Sequence, residues 1–456
     1  MAFQTINPAN DQILKTYQHQ SFDEIEPKIS AAWKSFTDWK VSSVKDRAAR
    51  VQAWARSLKE GRDEMATVMT LEMGKPIAQS RAEIDKCIFT CEYLASEGPK
   101  FLERKRVESP YSESWISYEP LGPILAIMPW NFPLWQTVRF AAPALLAGNT
   151  ILLKHADLVR GTAELIEKSL VKVSDGFQLL QLLPVDHEVA ARVIAHEKVR
   201  GVTFTGSTRG GREVAAAAGK SLKKHVLELG GSDAYVVLAD ADLEKAVKTC
   251  VAARMVNGGQ SCVAGKRFIV EKSVMASFQQ MFVEQMKEIR PSDPMDESCQ
   301  LGPMAAKKFQ SQLIEQVEEL KKAGGKVLTG GTAPQGPGAF YPPTVVLFET
   351  NQHRANELEI FGPVAVLIQA ENEDAALKIA NESPYGLGGA IFTKDLEKGE
   401  RLVSEMEAGV VVLNDQVKSD VRLPFGGVKD SGYGRELSFH GIHEFCNIKT
   451  RAMGAI

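Results

Sequence analysis

From about residue 116 onward, short apolar runs alternate with stretches of helical periodicity, and this alternation limits the folds open to the chain more than any other feature. The runs are Ile124 to Met128, Thr150 to Leu153, Gly201 to Thr205, Val226 to Leu229 and Tyr235 to Leu238. Helical stretches such as Gly161 to Val173 and Val189 to His196 fall between them. Strand, helix and strand in succession predict an α/β fold with a largely parallel sheet.

A second set of strands follows at Phe268 to Val270, Thr344 to Phe348, Val364 to Ile368, Gly389 to Phe392 and Val410 to Leu413. Phe309, Leu313, Val317 and Leu320 make one apolar helical stripe, closed by Gly324-Gly325 as a C-cap pair. Two α/β domains are expected, with a boundary near 230 to 240. The first hundred residues read as helices, with Ile25, Ile29, Trp33 and Phe36 on one face and Val44, Ala48, Val51, Ala55 and Leu58 on another.

The 456 residues suit two or three domains. With 54 Lys+Arg against 57 Asp+Glu, the net charge of −3 excludes a nucleic-acid partner held by bulk electrostatics. An apolar fraction of 44% excludes an acidic disordered chain. Met1-Ala2-Phe3-Gln4 lacks the basic and apolar regions of a secretory signal. The most apolar stretch, Ile124 to Trp135, falls short of the about 20 residues that a membrane span needs. A soluble, cytoplasmic protein with no membrane partner is expected. The six cysteines, at 87, 91, 250, 262, 299 and 446, are too sparse for a disulfide scaffold. Cys87 and Cys91 lie one helical turn apart, but no His is near, so they read as packed helix and not as a metal site.

Four places carry polar residues where chemistry could live. Phe204-Thr205-Gly206-Ser207-Thr208-Arg209-Gly210-Gly211 joins a strand to a helix, whose first N–H groups can hold a phosphate. It equally fits a tight βα turn. Val256-Asn257-Gly258-Gly259-Gln260-Ser261-Cys262 sets a thiol after a Gly-rich polar turn, as a nucleophile needs, although most single cysteines are inert core residues. Glu228 ends an apolar strand beside Gly230-Gly231, fitting either a general base or a structural salt bridge. Asn131, between two prolines, is a turn former or an oxyanion donor.

Taken in order, six motifs resemble those of the NAD(P)-dependent aldehyde dehydrogenases. They are Pro129-Trp130-Asn131-Phe132-Pro133, Phe204-Thr205-Gly206-Ser207-Thr208, Leu227-Glu228-Leu229-Gly230-Gly231, Gly259-Gln260-Ser261-Cys262, Glu359-Ile360-Phe361-Gly362-Pro363 and Pro424-Phe425-Gly426-Gly427. The resemblance spans about residues 5 to 450. It implies that Cys262 attacks an aldehyde, that Asn131 and the Cys262 N–H hold the oxyanion, and that Glu228 activates water to hydrolyse the thioester. It also implies a Rossmann-type cofactor site, with Lys154 and Asp157 on the adenosine ribose, Ser207 on the pyrophosphate and Glu359 on the nicotinamide ribose. Trp130, Gly206, Gly211, Leu229 and Phe361 would complete that site.

In architecture the resemblance implies a cofactor domain of 1–112 and 131–233 and a catalytic domain of 234–418. A small β oligomerisation element would join a hairpin near 113–130 to 435–456, giving a homodimer or homotetramer. Val417 to Gly427 and Gly434 to Ser438 are similar to the branch of the family that acts on succinate semialdehyde. In that branch Arg139 and Ser419 would grip a distal carboxylate, with Trp135 walling the pocket and Ser261 beside the nucleophile. Arg139 could instead close an internal salt bridge.

Glutarate semialdehyde and a broader aldehyde range are alternatives. Glu228 argues against a CoA-acylating reaction, and intact Cys262, Glu228 and Asn131 argue against a non-catalytic role. A cofactor-free thiol hydrolase is a further alternative. Ala264 stands where some relatives carry a second Cys, which removes a local disulfide switch. Asp157 would repel a 2′-phosphate, so NAD is the expected cofactor and NADP the slower one. It could instead only cap the helix that starts near Val159.

Overall fold

The computed structural model describes residues 2–455. A 25-residue helix, α1 (Ile77–Phe101), precedes the first sheet. The sheet then builds through β1 (Pro123–Met128), α2 (Pro133–Ala147), β2 (Thr150–His155), β3 (Leu180–Leu182), β4 (Gly201–Thr205), α3 (Thr208–Lys220) and β5 (Lys224–Glu228). The spatial order is β3-β2-β1-β4-β5, all parallel, with Gly432–Tyr433 added antiparallel along β5. The chain leaves β1 toward β2 on one side and returns to β4 on the other. This reversal opens a crevice beyond the carboxyl ends of β1 and β4, the usual ligand position in an open parallel sheet.

A seven-stranded sheet forms a second layer system. Its order is Lys326–Thr329, Thr344–Phe348, Val364–Ala370, Arg267–Glu271, Ala234–Val237, Gly388–Phe392 and Val410–Leu413. Only Lys326–Thr329 runs antiparallel to its neighbour. Leu313, Val317 and Leu320 cover one face and Phe278 and Phe282 the other. Two-sided cover explains why these strands read as apolar runs and not as alternating ones.

Two expectations are corrected. No hairpin forms near 113–130. Glu113–Pro120 pairs with Lys105–Arg106 and with Cys446–Met453 in a separate three-stranded sheet, whereas β1 lies at the centre of the first sheet. The physical reason is burial. Five of the six β1 residues are buried, as a central parallel strand requires and a surface hairpin does not. The first hundred residues are not all helical either: Ala2–Ile6 and Ile13–Gln18 form an antiparallel hairpin. Its second strand is largely exposed, so no apolar pattern announced it.

α2 opens with Pro133 and has no cap from the residue before it. Its first N–H groups are satisfied from α1: Glu83 Oε1 accepts from Leu134 N (3.0 Å) and Trp135 N (2.9 Å). Glu83 Oε2 pairs with the fully buried Lys75. Glu83→Ala should therefore strand a buried ammonium and two helix donors, costing about 3–5 kcal/mol. A urea titration checks this, and a shift in stability below about 1 kcal/mol would exclude the anchoring role.

Candidate active site

The crevice beyond β1 and β4 is a cleft of about 440 Å³, lined among others by Trp130, Asn131, Gly206, Ser207, Leu229, Glu359 and Phe361. Ser207 is the N-cap of α3, its hydroxyl accepting from Gly210 N at 3.2 Å, so the helix start faces the cleft. A Cβ on Gly206 would lie 2.6 Å from the Phe204 ring, and one on Gly211 would lie 2.5 Å from Leu229. Both glycines therefore permit close packing of the phosphate-sized turn. Trp130 stacks on Phe309 at 4.6 Å and meets Phe361 edge-on. Glu359 Oε1 accepts from Gly231 N at 3.0 Å. An aromatic end, a carboxylate and a helix N-terminus along one cleft fit a dinucleotide.

Lys154 and Asp157 do not line this cleft. Lys154 is buried in β2, with burial holding its pKa below the usual lysine value against the pull of Asp157 and Asp186. Asp157 does not cap the following helix; its Oδ2 lies 3.0 Å from His19 Nε2. Arg160, which could have offset its charge, pairs with Glu164 at 3.3 Å.

Cys262 also lines a second cavity, of about 690 Å³. The loop before it is held by backbone conformation. Asn257, Gly258 and Gly259 have φ of 52°, 61° and 75° in succession, and a Cβ on Gly259 would lie 2.0 Å from Gly362 O. The fully buried Arg254 donates to Gly259 O at 2.6 Å. Lys266, equally buried, donates to the carbonyls of Ser261, Cys262 and Ala264. Asn131 Nδ2 donates to Gln260 O at 3.1 Å, Asn257 Nδ2 donates to Asn131 O at 2.8 Å, and Gln136 Nε2 donates to Asn131 Oδ1 at 2.9 Å. The amide of Asn131 is thus fixed beside the thiol loop with one of its two N–H bonds still uncommitted.

Glu228, at the end of β5, is buried and its Oε1 has no hydrogen-bond partner. Burial, and next the neighbouring Glu436, push its carboxyl well above the usual range, against Arg139 and Arg435. It does not line either cavity wall directly. Arg139 and Glu436 form a buried ion pair, with Arg139 Nη2 also donating to Thr205 Oγ1 at 3.3 Å and the guanidinium lying over Phe425. The internal salt bridge foreseen as the alternative for Arg139 is present, and Arg139 still borders the second cavity. Trp135, Ser261 and Ser419 border it too. Ser261 Oγ is buried without a partner.

Three site residues escaped the sequence reading. Lys266 and Arg254 carry the thiol loop from below, and Lys86 on α1 enters the second cavity, its Nζ donating to Ser419 Oγ at 2.7 Å. The first two are cations in apolar surroundings, a signal visible only once strand and helix bounds are known. Lys86 had no local motif.

The profile described as the aldehyde dehydrogenase family matches residues 1–451. The chain belongs to the aldehyde dehydrogenase family. It is 43% identical to succinate semialdehyde dehydrogenase (NAD(P)+) Sad of Escherichia coli (strain K12), over 98% of this chain and 96% of that one. It is 42% identical to a probable succinate-semialdehyde dehydrogenase (NADP(+)) of Synechocystis sp., over 99% of both. The crystal structure of succinic semialdehyde dehydrogenase from Streptococcus pyogenes in complex with NADP+ superposes with a TM-score of 0.97 at 33% identity, covering 99% of this chain and all of that one.

Burial raises the Cys262 thiol to about 11, with Arg139 and Lys266 pulling it down. The resting protein therefore holds it protonated at neutral pH. Alkylation by iodoacetamide should accelerate about tenfold per pH unit between pH 7 and 10, because only thiolate reacts. The other five cysteines are buried, so mass spectrometry should find the label on Cys262. A plateau below pH 9 would show a stabilised resting thiolate instead.

Proposed function

We propose that this enzyme oxidises succinate semialdehyde to succinate with NAD(P), through a thioester on Cys262. One observation carries the reading: Cys262 borders both the dinucleotide-shaped cleft and the second cavity, so one thiol is within reach of a cofactor in the first and a substrate in the second. The relatives named for succinate semialdehyde support the choice of substrate.

The Cys262 thiol loses its proton to solvent, and the thiolate so formed adds to the aldehyde carbon to give a thiohemiacetal. The uncommitted Asn131 N–H and the Cys262 backbone N–H receive the oxyanion. A bound nicotinamide would supply the hydride acceptor. Trp130, Gly206, Ser207, Leu229, Glu359 and Phe361 would hold it in the cleft they line, with Gly211 packed behind on Leu229 and Lys154 and Asp157 toward the adenosine ribose. Glu228 then takes a proton from the water that hydrolyses the thioester, its partnerless Oε1 being the free acceptor. Trp135, Arg139, Ser261 and Ser419 hold the rest of the substrate. Because Glu228 must lose its proton to act and burial raises its pKa, hydrolysis should speed up with rising pH. Glu228→Gln should give a stoichiometric burst of reduced cofactor, followed by turnover slowed about 10²–10⁴-fold. Stopped-flow absorbance checks this; a wild-type steady state in the variant would remove Glu228 from the reaction.

For the cofactor, Asp157 favours NAD. Its carboxylate can accept from ribose hydroxyls and repels a 2′-phosphate. Asp157→Ser should move the ratio of kcat/KM for NAD to that for NADP roughly tenfold toward NADP. A wild type that prefers NADP, the cofactor in the names of several relatives, would overturn the reading.

The free edge of Cys446–Met453, exposed along most of its length, suits a second subunit in a homodimer or homotetramer. Six free thiols suit the reducing cytoplasm. No helix among the described residues is long and apolar enough to cross a membrane.

A further inference from the structure

The second cavity has three cationic side chains on its wall: Lys86, Arg139 and Lys418. Two are already neutralised. Arg139 pairs with Glu436, and Lys418 lies 3.4 Å from Asp415. Lys86 has no carboxylate within ion-pair distance among the described residues. Its partners are neutral: the Ser419 hydroxyl at 2.7 Å and the face of Trp135, 4.0 Å from the ring centroid. The nearby carboxylates are committed elsewhere, Glu83 to Lys75 and Asp420 to Arg422.

The position of Lys86 is fixed by the scaffold. Glu83, three residues earlier on α1, accepts the backbone N–H of Trp135, and Lys86 lies over the indole of the same Trp135. One turn of α1 thus sets both the indole and the ammonium above it. Burial lowers the pKa of Lys86 to about 8, which leaves it mostly charged at pH 7. A half-buried cation with only neutral partners has lost hydration without gaining an opposite charge, and an anionic ligand restores that balance.

We propose that Lys86 is a specificity-determining residue, its ammonium binding the distal carboxylate of a short ω-carboxy aldehyde whose carbonyl is at Cys262. The proposal rests on the reading that the substrate is such an aldehyde. Ser419 orients the ammonium and offers its hydroxyl to the same carboxylate, and Trp135 walls the methylenes between. Arg139, neutralised by Glu436, adds a hydrogen-bonding edge but no net charge.

The test compares kcat/KM for succinate semialdehyde with that for butyraldehyde, an aldehyde of the same carbon count without the carboxylate. Wild type should favour succinate semialdehyde; equal values would refute the substrate class itself, before any variant is read. Given that preference, Lys86→Met should reduce the ratio about 10- to 100-fold, mainly through KM for succinate semialdehyde. Lys86→Arg should recover most of the ratio, and product inhibition by succinate should weaken in Lys86→Met by a similar factor. A ratio unchanged in Lys86→Met and in Lys86→Gln would overturn the assignment, as would equal losses on both aldehydes.

Discussion

The Asn131 peptide unit and side chain hold the two halves of the site together. Its carbonyl accepts from Asn257, its amide donates to Gln260, and its side-chain oxygen accepts from Gln136. Asn131 follows the central strand of the first sheet, whereas Asn257 and Gln260 precede the Arg267–Glu271 strand of the second. These bonds join loops from two separate sheets at one point. They are all buried, so each broken bond would leave a polar group without water. The thiol loop needs this tie because three successive left-handed residues have no regular hydrogen-bond ladder of their own. Arg254 and Lys266 close the remaining carbonyls from the opposite side.

Charge in the site is arranged by the same logic. Arg139, Glu436 and Glu228 are buried together, one guanidinium between two carboxyls. A buried ion pair is weak as a source of stability, because desolvation offsets most of the attraction. Its consequence here is chemical. Burial first, and then the Glu436 carboxyl that takes the guanidinium and leaves Glu228 only part of a counter-charge, hold the Glu228 proton tightly. A carboxyl held in this state is ready to accept a proton only after it has given one up, which would tie the proposed hydrolytic step to pH.

The sequence made much of this legible. Buried parallel strands are nearly continuous apolar runs, and β1, β2 and β4 lie where those runs fall. Cys262, Asn131, Ser207 and Glu359 stand in dense local motifs, because close backbone approach demands glycine or a polar cap at fixed offsets. The hairpin Ala2–Ile6 with Ile13–Gln18 was hidden because its outer strand is solvated and alternates weakly. The family resemblance did join Glu113–Pro120 to the C-terminal strand more than 300 residues away, but β1 was wrongly folded into a hairpin with it, because a short gap between two strands does not show which sheet each enters. Lys86 was invisible for a related reason. It meets Ser419 across 333 positions, and no spacing along the chain encodes such a contact.

The distribution of charge also gives the second cavity a direction. At the end near Cys262 the thiol is protonated, Arg139 is neutralised by Glu436 and Glu228 holds its proton, so that end carries little net field. The positive charge without a partner lies instead with Lys86, on the wall formed by α1, Trp135 and Ser419. A molecule with a neutral carbonyl at one end and a carboxylate at the other has one favourable orientation in such a cavity. Reversal would take the carboxylate away from the Lys86 ammonium and leave it without a counter-charge in a poorly solvated site, which is costly. On the proposed reading, the same arrangement that keeps the end near Cys262 neutral would also select which end of the substrate reaches the thiol.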